Sequence, residues 1–230
     1  MISYNTKHEI KELAQQSQNE ICGLIVNGNV FACKNISFKP TQHFEIAPED
    51  YLQASLKGQI NAVYHSHVTD NDTFSDYDKL NLYNHSLRGV LYNTKKNVFR
   101  YFLPEQYHNK YIGRQFKLGT NDCFGLVKNY YLNELNIQIN NFPRNEDWYK
   151  LNPEIINQNF KSQGFDKVES MQKNDIIVFD LLQNGNPCHF GISLGNDTFL
   201  QHARNKLSTI DLLTGTWKKR IGYTLRYVNG

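Results

Sequence analysis

The residue types best suited to bind a metal ion lie close together in the first half of the chain. Ala62-Val63-Tyr64-His65-Ser66-His67 has the alternation of a strand, so His65 and His67 share one face and both imidazoles can reach one ion. Asp78 follows eleven residues after His67 and adds a carboxylate oxygen. Two histidines and one aspartate leave zinc an open position for water, which becomes a nucleophile near neutral pH.

Two more residues complete a candidate hydrolytic site in this half. Such a water needs a general base, and Glu20 stands at the start of a short apolar strand-like segment, residues 21–26. Ser75 is placed to donate a hydrogen bond to an oxyanion as it forms.

Each of these features also has a structural explanation when it is taken alone. A His-x-His pair is common on protein surfaces, and Ser75-x-x-Asp78 is a good capping box for the helix that follows it. Together, the string H-S-H-x7-S-x-x-D with an upstream glutamate resembles the JAMM (Mov34/MPN-type) metallopeptidase motif. The resemblance implies that His65, His67 and Asp78 bind Zn²⁺, that Glu20 is the general base and that Ser75 supports the oxyanion.

The second half of the chain contains a cysteine at a predicted helix start. Thr120-Asn121-Asp122 are N-cap residue types that precede an apolar-periodic segment, so Cys123 lies in the first turn of a helix. Unpaired backbone N–H groups and the helix dipole favour the thiolate there, which predicts a lowered pKa for Cys123. A buried structural cysteine is the alternative, and a neighbouring base is needed to reject it.

Two histidines supply that base and a residue to orient it. The segment 189–194 alternates, with His189 on the face opposite the apolar one, and Gly195-Asn196 is a good two-residue hairpin turn. With that turn, His189 lies directly opposite His202 on the neighbouring strand. His189 then takes the thiol proton while His202 orients it. A three-residue turn would shift this register.

The D-C-x-G-L helix start at residues 122–126 and the H-x-G-I strand at residues 189–192 resemble the NlpC/P60 group of papain-like cysteine peptidases. By that resemblance Cys123 is the nucleophile, His189 the base and His202 the orienting residue, and the substrates are peptide stems of peptidoglycan. Other stretches that look like the phage branch of this group are Gly113-Arg114-Gln115-Phe116, residues 174–179 and Trp217.

The elements that must position these residues form two groups. A polar, Pro-containing stretch at 103–110 marks a linker, which predicts one domain at 1–104 and a second at 105–230. Helices and antiparallel strands in each half indicate two α+β domains. The resemblances imply a JAMM/MPN-like (cytidine-deaminase-like) α/β sandwich followed by a papain-like NlpC/P60 α+β domain. The predicted helices are 6–18, 48–57, 76–86, 123–135 and 152–163, and the predicted strands are 21–26, 30–33, 61–67, 89–92, 98–102, 176–180, 189–194 and 198–203.

Composition excludes several partners. The net charge of +3 is too small to indicate nucleic-acid binding. The chain contains no apolar run long enough to predict membrane insertion. Its N-terminus lacks the apolar core of a secretory signal, so a location in a cytoplasm or an assembled particle is expected. The four cysteines have no CxxC spacing, which favours free thiols, with a Cys22–Cys33 disulfide as the alternative.

A JAMM domain fused directly to an NlpC/P60 domain is similar to the family of tail tip assembly proteins K of lambda-like phages. That resemblance covers nearly the whole chain and implies a virion component of the tail tip or baseplate hub, made in the host cytoplasm. Its partners would be peptidoglycan stem peptides and other hub proteins. Two alternatives are a structural hub or assembly protein with inactive sites, and a cellular isopeptidase that removes ubiquitin-like tags.

Overall fold

The computed structural model describes residues 2–142, 144, 148–151 and 154–228. The chain divides into two compact units, residues 1–108 and residues 109–230. This division falls within the stretch 103–110 that the sequence indicates as a linker. None of the described helices has both the length and the apolar character needed to cross a membrane.

The first unit is a five-stranded sheet with helices on both faces. The strand order is β2-β1-β3-β4-β5. Neighbouring strands are antiparallel except β3 and β4, which are parallel because α3 forms the crossover between them. The sequence predicts antiparallel strands in each half, and this parallel pair departs from that prediction. The elements are α1 Tyr4–Gln15, β1 Cys22–Val26, β2 Asn29–Cys33, α2 Pro48–Lys57, β3 Ile60–His67, α3 Asp76–Asn84, β4 Arg88–Asn93 and β5 Val98–Phe102.

Alternation along β1 divides the core of this unit between the two sheet faces. Ile25 packs with Ile10 of α1 on one face, while Leu24 packs with Ala54 of α2 on the other. The central strands β1 and β3 are therefore covered on both sides. Directly opposite each other on β1 and β2 lie Cys22 and Cys33, both as free thiols.

The second unit is built on a six-stranded antiparallel sheet with the order β10-β9-β8-β7-β11-β6. Helix α4 packs on β8. Phe124 of α4 and Phe190 of β8 have ring centroids 5.4 Å apart, and Phe160 lies 5.7 and 5.8 Å from them. The elements are α4 Cys123–Leu135, α5 Trp148–Leu151, α6 Ile155–Lys161, β6 Phe165–Val168, β7 Ile176–Phe179, β8 His189–Gly195, β9 Thr198–Gln201, β10 Thr209–Leu212, α7 Gly215–Lys219 and β11 Ile221–Tyr227.

Sequence patterning located most of these elements but not all of them. Three strands and two helices of the second unit were not predicted, namely β6, β10, β11, α5 and α7. The strands have mixed polar and apolar residues because each is only half covered; β10, for example, buries Ile210 alone of its four residues. The predicted helix at 152–163 begins at residues outside the described ranges, and α6 occupies its later part.

Candidate functional site

The first candidate site lies at the C-terminal end of β3. His65 and His67 share one face there, and their Nε2 atoms are 3.2 Å apart. Asp78, in the first turn of α3, has Oδ2 3.9 Å from Nε2 of His65. One ligand atom from each of the three residues lies within 4.8 Å of the others. The structure thus brings together the three residues that the sequence singled out for metal binding.

A second layer of hydrogen bonds fixes the imidazole of His67. Its Nδ1 lies 2.8 Å from the carbonyl oxygen of Asn71, and a carbonyl only accepts, so Nδ1 carries the proton. Asn93 donates to the same carbonyl and holds it in place. The lone pair of the His67 ring is therefore on Nε2, the atom 3.2 Å from Nε2 of His65, as in proteins where an outer-shell partner orients a histidine ligand.

The two Nε2 atoms fit a shared cation. Nitrogens at zinc-binding distance around a tetrahedral ion are about 3.3 Å apart, close to the 3.2 Å observed between His65 and His67. His65 is buried and stacked on Phe44, with ring centroids 4.4 Å apart. Burial lowers the pKa of His65 to about 4, so its ring is neutral, the form in which histidine binds a metal.

Glu20 lies beside His67, and Ser75 lies beside Asp78. Glu20 is buried just before β1, with Oε1 4.0 Å from Nε2 of His67. Burial, helped by the negative charge of Asp78, raises the pKa of Glu20 to about 8. Ser75 is the N-cap of α3, and its hydroxyl donates to Oδ2 of Asp78 at 2.7 Å and accepts from the backbone N–H of Asp78.

The single hydroxyl proton of Ser75 is therefore committed to Asp78 in this structure. The capping box that the sequence offered as a structural explanation is present. The same contact also holds the Asp78 carboxylate toward His65, so the cap and the candidate metal site use the same atoms. Support of an oxyanion by Ser75 would require this hydrogen bond to be exchanged.

The second candidate site is a pocket of about 220 Å³ in the second unit. Cys123 is the first residue of α4, and Asp122, its N-cap, accepts from the backbone N–H of Gly125 at 2.8 Å. A Cβ at position 125 would overlap the carbonyl oxygen of Thr120, so this turn requires glycine. The pocket is lined by Phe116, Leu118, Asp122, Cys123, Arg144, Tyr149, Leu181, Leu182, Cys188, His189, His202 and Arg204.

The predicted lowering of the Cys123 pKa is wrong for this structure. The residue keeps some exposed surface at the pocket wall, but burial raises the pKa of Cys123 to about 12, and the Asp122 carboxylate adds to the effect. Backbone groups of Phe190 and Phe124 act in the opposite direction without reversing it. Desolvation of the thiolate therefore outweighs the helix N-terminus.

Gln201, not His202, is hydrogen-bonded to His189, the predicted base. Nε2 of His189 lies 3.0 Å from Oε1 of Gln201, and both side chains are buried. The register predicted from a Gly195-Asn196 turn is wrong. The turn residues are Asn196 and Asp197, with φ of 49° and 50°, and a bulge between Ser193 and Gly195 shifts the pairing.

The observed register explains which side chain meets His189. Gly191 pairs with Gln201, so His189, two residues before Gly191, shares a face with Gln201. His202 follows the last residue of β9. It is fully buried at the pocket wall, where its ring meets that of Phe116 edge-on with centroids 5.3 Å apart. Burial lowers the pKa of His202, and nearby backbone groups of Lys206 and Arg114 oppose this. Within the described part of the chain, neither ring nitrogen has a hydrogen bond of regular geometry.

A buried ion pair supports the start of α4. The side chains of Asp122 and Arg144 are each 1% exposed, and their closest nitrogen–oxygen distance is 3.1 Å. The Arg144 guanidinium also lies over the rings of Phe124 and Phe142, at 4.5 and 4.9 Å. The sequence showed no signal for Arg144, because it is a lone arginine 22 residues from its partner.

Alkylation of Cys123 is expected to accelerate steadily between about pH 6 and 9 without reaching a plateau. Burial lowers the pKa of His189 to about 4 and raises that of Cys123 to about 12, so the resting pair is a neutral thiol and a neutral imidazole. The thiolate fraction then grows about tenfold per pH unit.

Iodoacetamide labelling, with the Cys123 peptide quantified by mass spectrometry, measures this rate. Urea-denatured protein is the control, since its thiols titrate near the ordinary cysteine pKa. A pH-independent rate above about pH 6 would indicate a thiolate–imidazolium pair and contradict the expectation.

Comparison with known proteins identifies the second unit. Residues 112–226 match the NlpC/P60 family, half of the 230-residue chain, and the chain therefore belongs to that family. Tail tip assembly protein K of Escherichia phage N15 is 27% identical over 220 residues, which are 93% of this chain and 90% of that protein. Protein K of Escherichia phage lambda is 27% identical over 183 residues, 76% of this chain and 85% of that protein.

Solved structures of NlpC/P60 proteins were also compared. One from Staphylococcus aureus is 14% identical with a TM-score of 0.37, covering 99% of this chain and 62% of its own. One from Bacillus cereus is 16% identical with a TM-score of 0.33, covering 94% of this chain and 66% of its own.

Proposed function

We propose that this chain is a hydrolase of a phage tail tip or baseplate hub that cleaves peptide bonds in the stem peptides of host peptidoglycan. The observation that carries the proposal is the pocket in which Cys123, at the start of α4, accompanies His189 hydrogen-bonded to Gln201. The NlpC/P60 family match and the similarity to two tail tip assembly proteins support it. Its neighbours in the virion would be other tail proteins.

The mechanism follows from the positions of these groups. With Nε2 engaged by Gln201, the other ring nitrogen of His189, Nδ1, takes the proton of the Cys123 thiol as sulfur attacks the scissile carbonyl carbon. The first N–H groups of α4 have no intrahelical partner and stabilise the oxyanion. His189 then protonates the leaving amine. A water deprotonated by His189 hydrolyses the thioester and regenerates the thiol.

Digestion of purified peptidoglycan sacculi by the full chain, with products identified by mass spectrometry, tests this function. Stem-peptide fragments support it. Intact sacculi after prolonged digestion at about neutral pH would contradict a free-standing wall hydrolase and favour a structural role in the tail hub.

We further propose that the first unit is a JAMM-type zinc peptidase that binds Zn²⁺ through His65, His67 and Asp78. The facing Nε2 atoms of His65 and His67 and the neutral ring of buried His65 suit a zinc ion, which would supply a Lewis acid and an acidified water when bound. Asn71 keeps the His67 ring oriented. Glu20 lies beside His67. A bound zinc ion would oppose the rise in the Glu20 pKa that burial causes, and the ionised carboxylate could then accept and return a proton. Ser75 holds Asp78 in place.

Replacement of both histidines is expected to remove the zinc. The wild-type chain should bind about one zinc ion, and His65→Ala/His67→Ala should lose more than about 100-fold in affinity, since loss of even an outer-shell partner costs roughly 10–100-fold. Metal analysis after dialysis, together with calorimetric titration of the metal-free protein, measures this.

The matched control for this measurement is His8→Ala/His85→Ala, which removes two exposed histidines from the same unit. Zinc content equal to wild type in His65→Ala/His67→Ala would contradict the proposed metal site. So would an equal loss in the control variant.

A further inference from the structure

A line of hydrogen bonds continues from the base across two more strands of the sheet. Oε1 of Gln201 faces Nε2 of His189 at 3.0 Å, and Nε2 of Gln201 donates to Oδ2 of Asp211 at 2.7 Å. Asp211 lies on β10, a strand that the sequence did not predict. The pocket around Cys123 does not include it.

Strand register places the three side chains on one face. Gln201 pairs with Gly191 on β8 and with Thr209 on β10. His189 precedes Gly191 by two residues and Asp211 follows Thr209 by two, so both share the face of Gln201. Because all three strands are adjacent in the sheet, the alignment is held by backbone pairing and not by flexible loops.

The chemistry of the three groups determines which atom donates and which accepts in each hydrogen bond. An ionised carboxylate only accepts hydrogen bonds, so the group that Gln201 turns toward Asp211 must be its NH₂. The amide oxygen then faces His189, and an oxygen acceptor requires the proton to be on Nε2 of the ring. The lone pair is left on Nδ1, the nitrogen that must take the thiol proton.

Without Asp211, nothing in this line of hydrogen bonds fixes which end of the Gln201 amide faces His189. A glutamine amide presents an acceptor on one side and donors on the other, and rotation by half a turn exchanges them. A reversed amide would donate to Nε2 of His189 and place the ring proton on Nδ1. That tautomer cannot accept a proton from Cys123, much as a wrong tautomer of the base disables a serine protease triad.

We propose that Asp211 is a positioning residue for His189: acting through the Gln201 amide, it selects the imidazole tautomer that can deprotonate Cys123. The catalytic consequence rests on the proposed peptidase function, whereas the tautomer itself is a property of the protein without substrate.

Nitrogen-15 NMR of the histidine rings in the full chain tests the tautomer directly. His189 should be protonated only on Nε2 in the wild type and should become a mixture of both tautomers in Asp211→Asn, whose amide can either donate or accept. The double variant Gln201→Glu/Asp211→Asn should restore the wild-type tautomer, because the new carboxylate accepts from both the asparagine amide and His189.

The same variants make a kinetic prediction on stem peptides. Asp211→Asn should lower kcat roughly tenfold, the size typical of losing an outer orienting partner, with KM little changed. In a Gln201→Ala background Asp211→Asn should cause no further loss, since the carboxylate acts only through the glutamine. Asp166→Asn, an exposed carboxylate on β6 of the same sheet, is the control that should change neither measurement.

Two results would overturn the proposal. One is a single Nε2-protonated tautomer in Asp211→Asn, and the other is a double variant no closer to wild type than Asp211→Asn alone. If the wild type cleaves no stem peptide, the peptidase function fails while the NMR comparison still decides the role of Asp211. If Asp211→Asn does not fold, Asp211→Glu takes its place, and loss of the wild-type tautomer in that variant would also contradict the proposal.

Discussion

Cys123→Ala is expected to abolish the release of stem peptides from purified sacculi. A nucleophile that forms a covalent intermediate acts together with its base, and removal of such a residue typically lowers kcat by at least about 10⁴-fold. His189 and Gln201 would remain hydrogen-bonded but would have no thiol to activate. Mass spectrometry of digestion products from wild type and variant, taken over a time course, measures the loss.

Three further digestions make this result specific. Cys33→Ala removes a half-buried thiol from the first unit and should digest sacculi like the wild type. A zinc chelator separates the two candidate sites, because cleavage that is lost in Cys123→Ala but kept under chelation belongs to the second unit. If Cys123→Ala still released stem peptides and Cys188→Ala did not, the nucleophile would be Cys188, the other cysteine of the pocket.

Asp122→Ala is expected to destabilise the second unit by about 3–5 kcal/mol, the cost typical of leaving a buried charge without its partner. The lost carboxylate pairs with Arg144, with both side chains 1% exposed. It also accepts from the backbone N–H groups of Gly119 and Gly125, so the helix cap is lost as well. Both tryptophans, Trp148 and Trp217, lie in this unit, so urea unfolding followed by tryptophan fluorescence reports its stability alone.

A comparison with an exposed pair identifies the contribution of burial. Lys110 and Glu134 form an ion pair in the same unit with side chains 57% and 39% exposed, and Lys110→Ala should cost no more than about 1 kcal/mol. Asp122→Asn/Arg144→Met should be less destabilising than the sum of its single changes, because no unpaired charge remains. Additive losses, or a loss below about 1 kcal/mol for Asp122→Ala, would contradict the buried-pair interpretation.

The residues of the candidate metal site could be predicted because their spacing is local. His65 and His67 are two residues apart on one strand, and strand alternation alone places them on the same face. Ser75 and Asp78 form a capping box that is written in four consecutive residues. What the sequence did not show is the second layer, in which Asn71 and Asn93 orient the His67 ring, because these contacts come from a loop and another strand.

A single turn determines which side chain lies beside His189. Asn196 and Asp197 occupy the turn, and the bulge before Gly195 adds one residue to β8. A shift of one residue in the strand register moves a side chain to the other face of a sheet. The side chain beside His189 is therefore Gln201 and not the predicted His202. Counting from an Asn196-Asp197 turn with that bulge would have found Gln201, but alternation within β8 does not indicate a bulge.

Local patterns in the sequence predicted the candidate reacting residue types, the helix start that carries Cys123, the strand that carries the two histidines of the candidate metal site and the segment in which the units divide. These depend on periodicity and capping within a few residues. The β8–β9 register, the partners Gln201, Asp211 and Arg144, and the raised pKa of Cys123 emerged only in the folded chain. Hydrogen bonding across strands and desolvation depend on which distant segments surround a group, and no local pattern of residues records that.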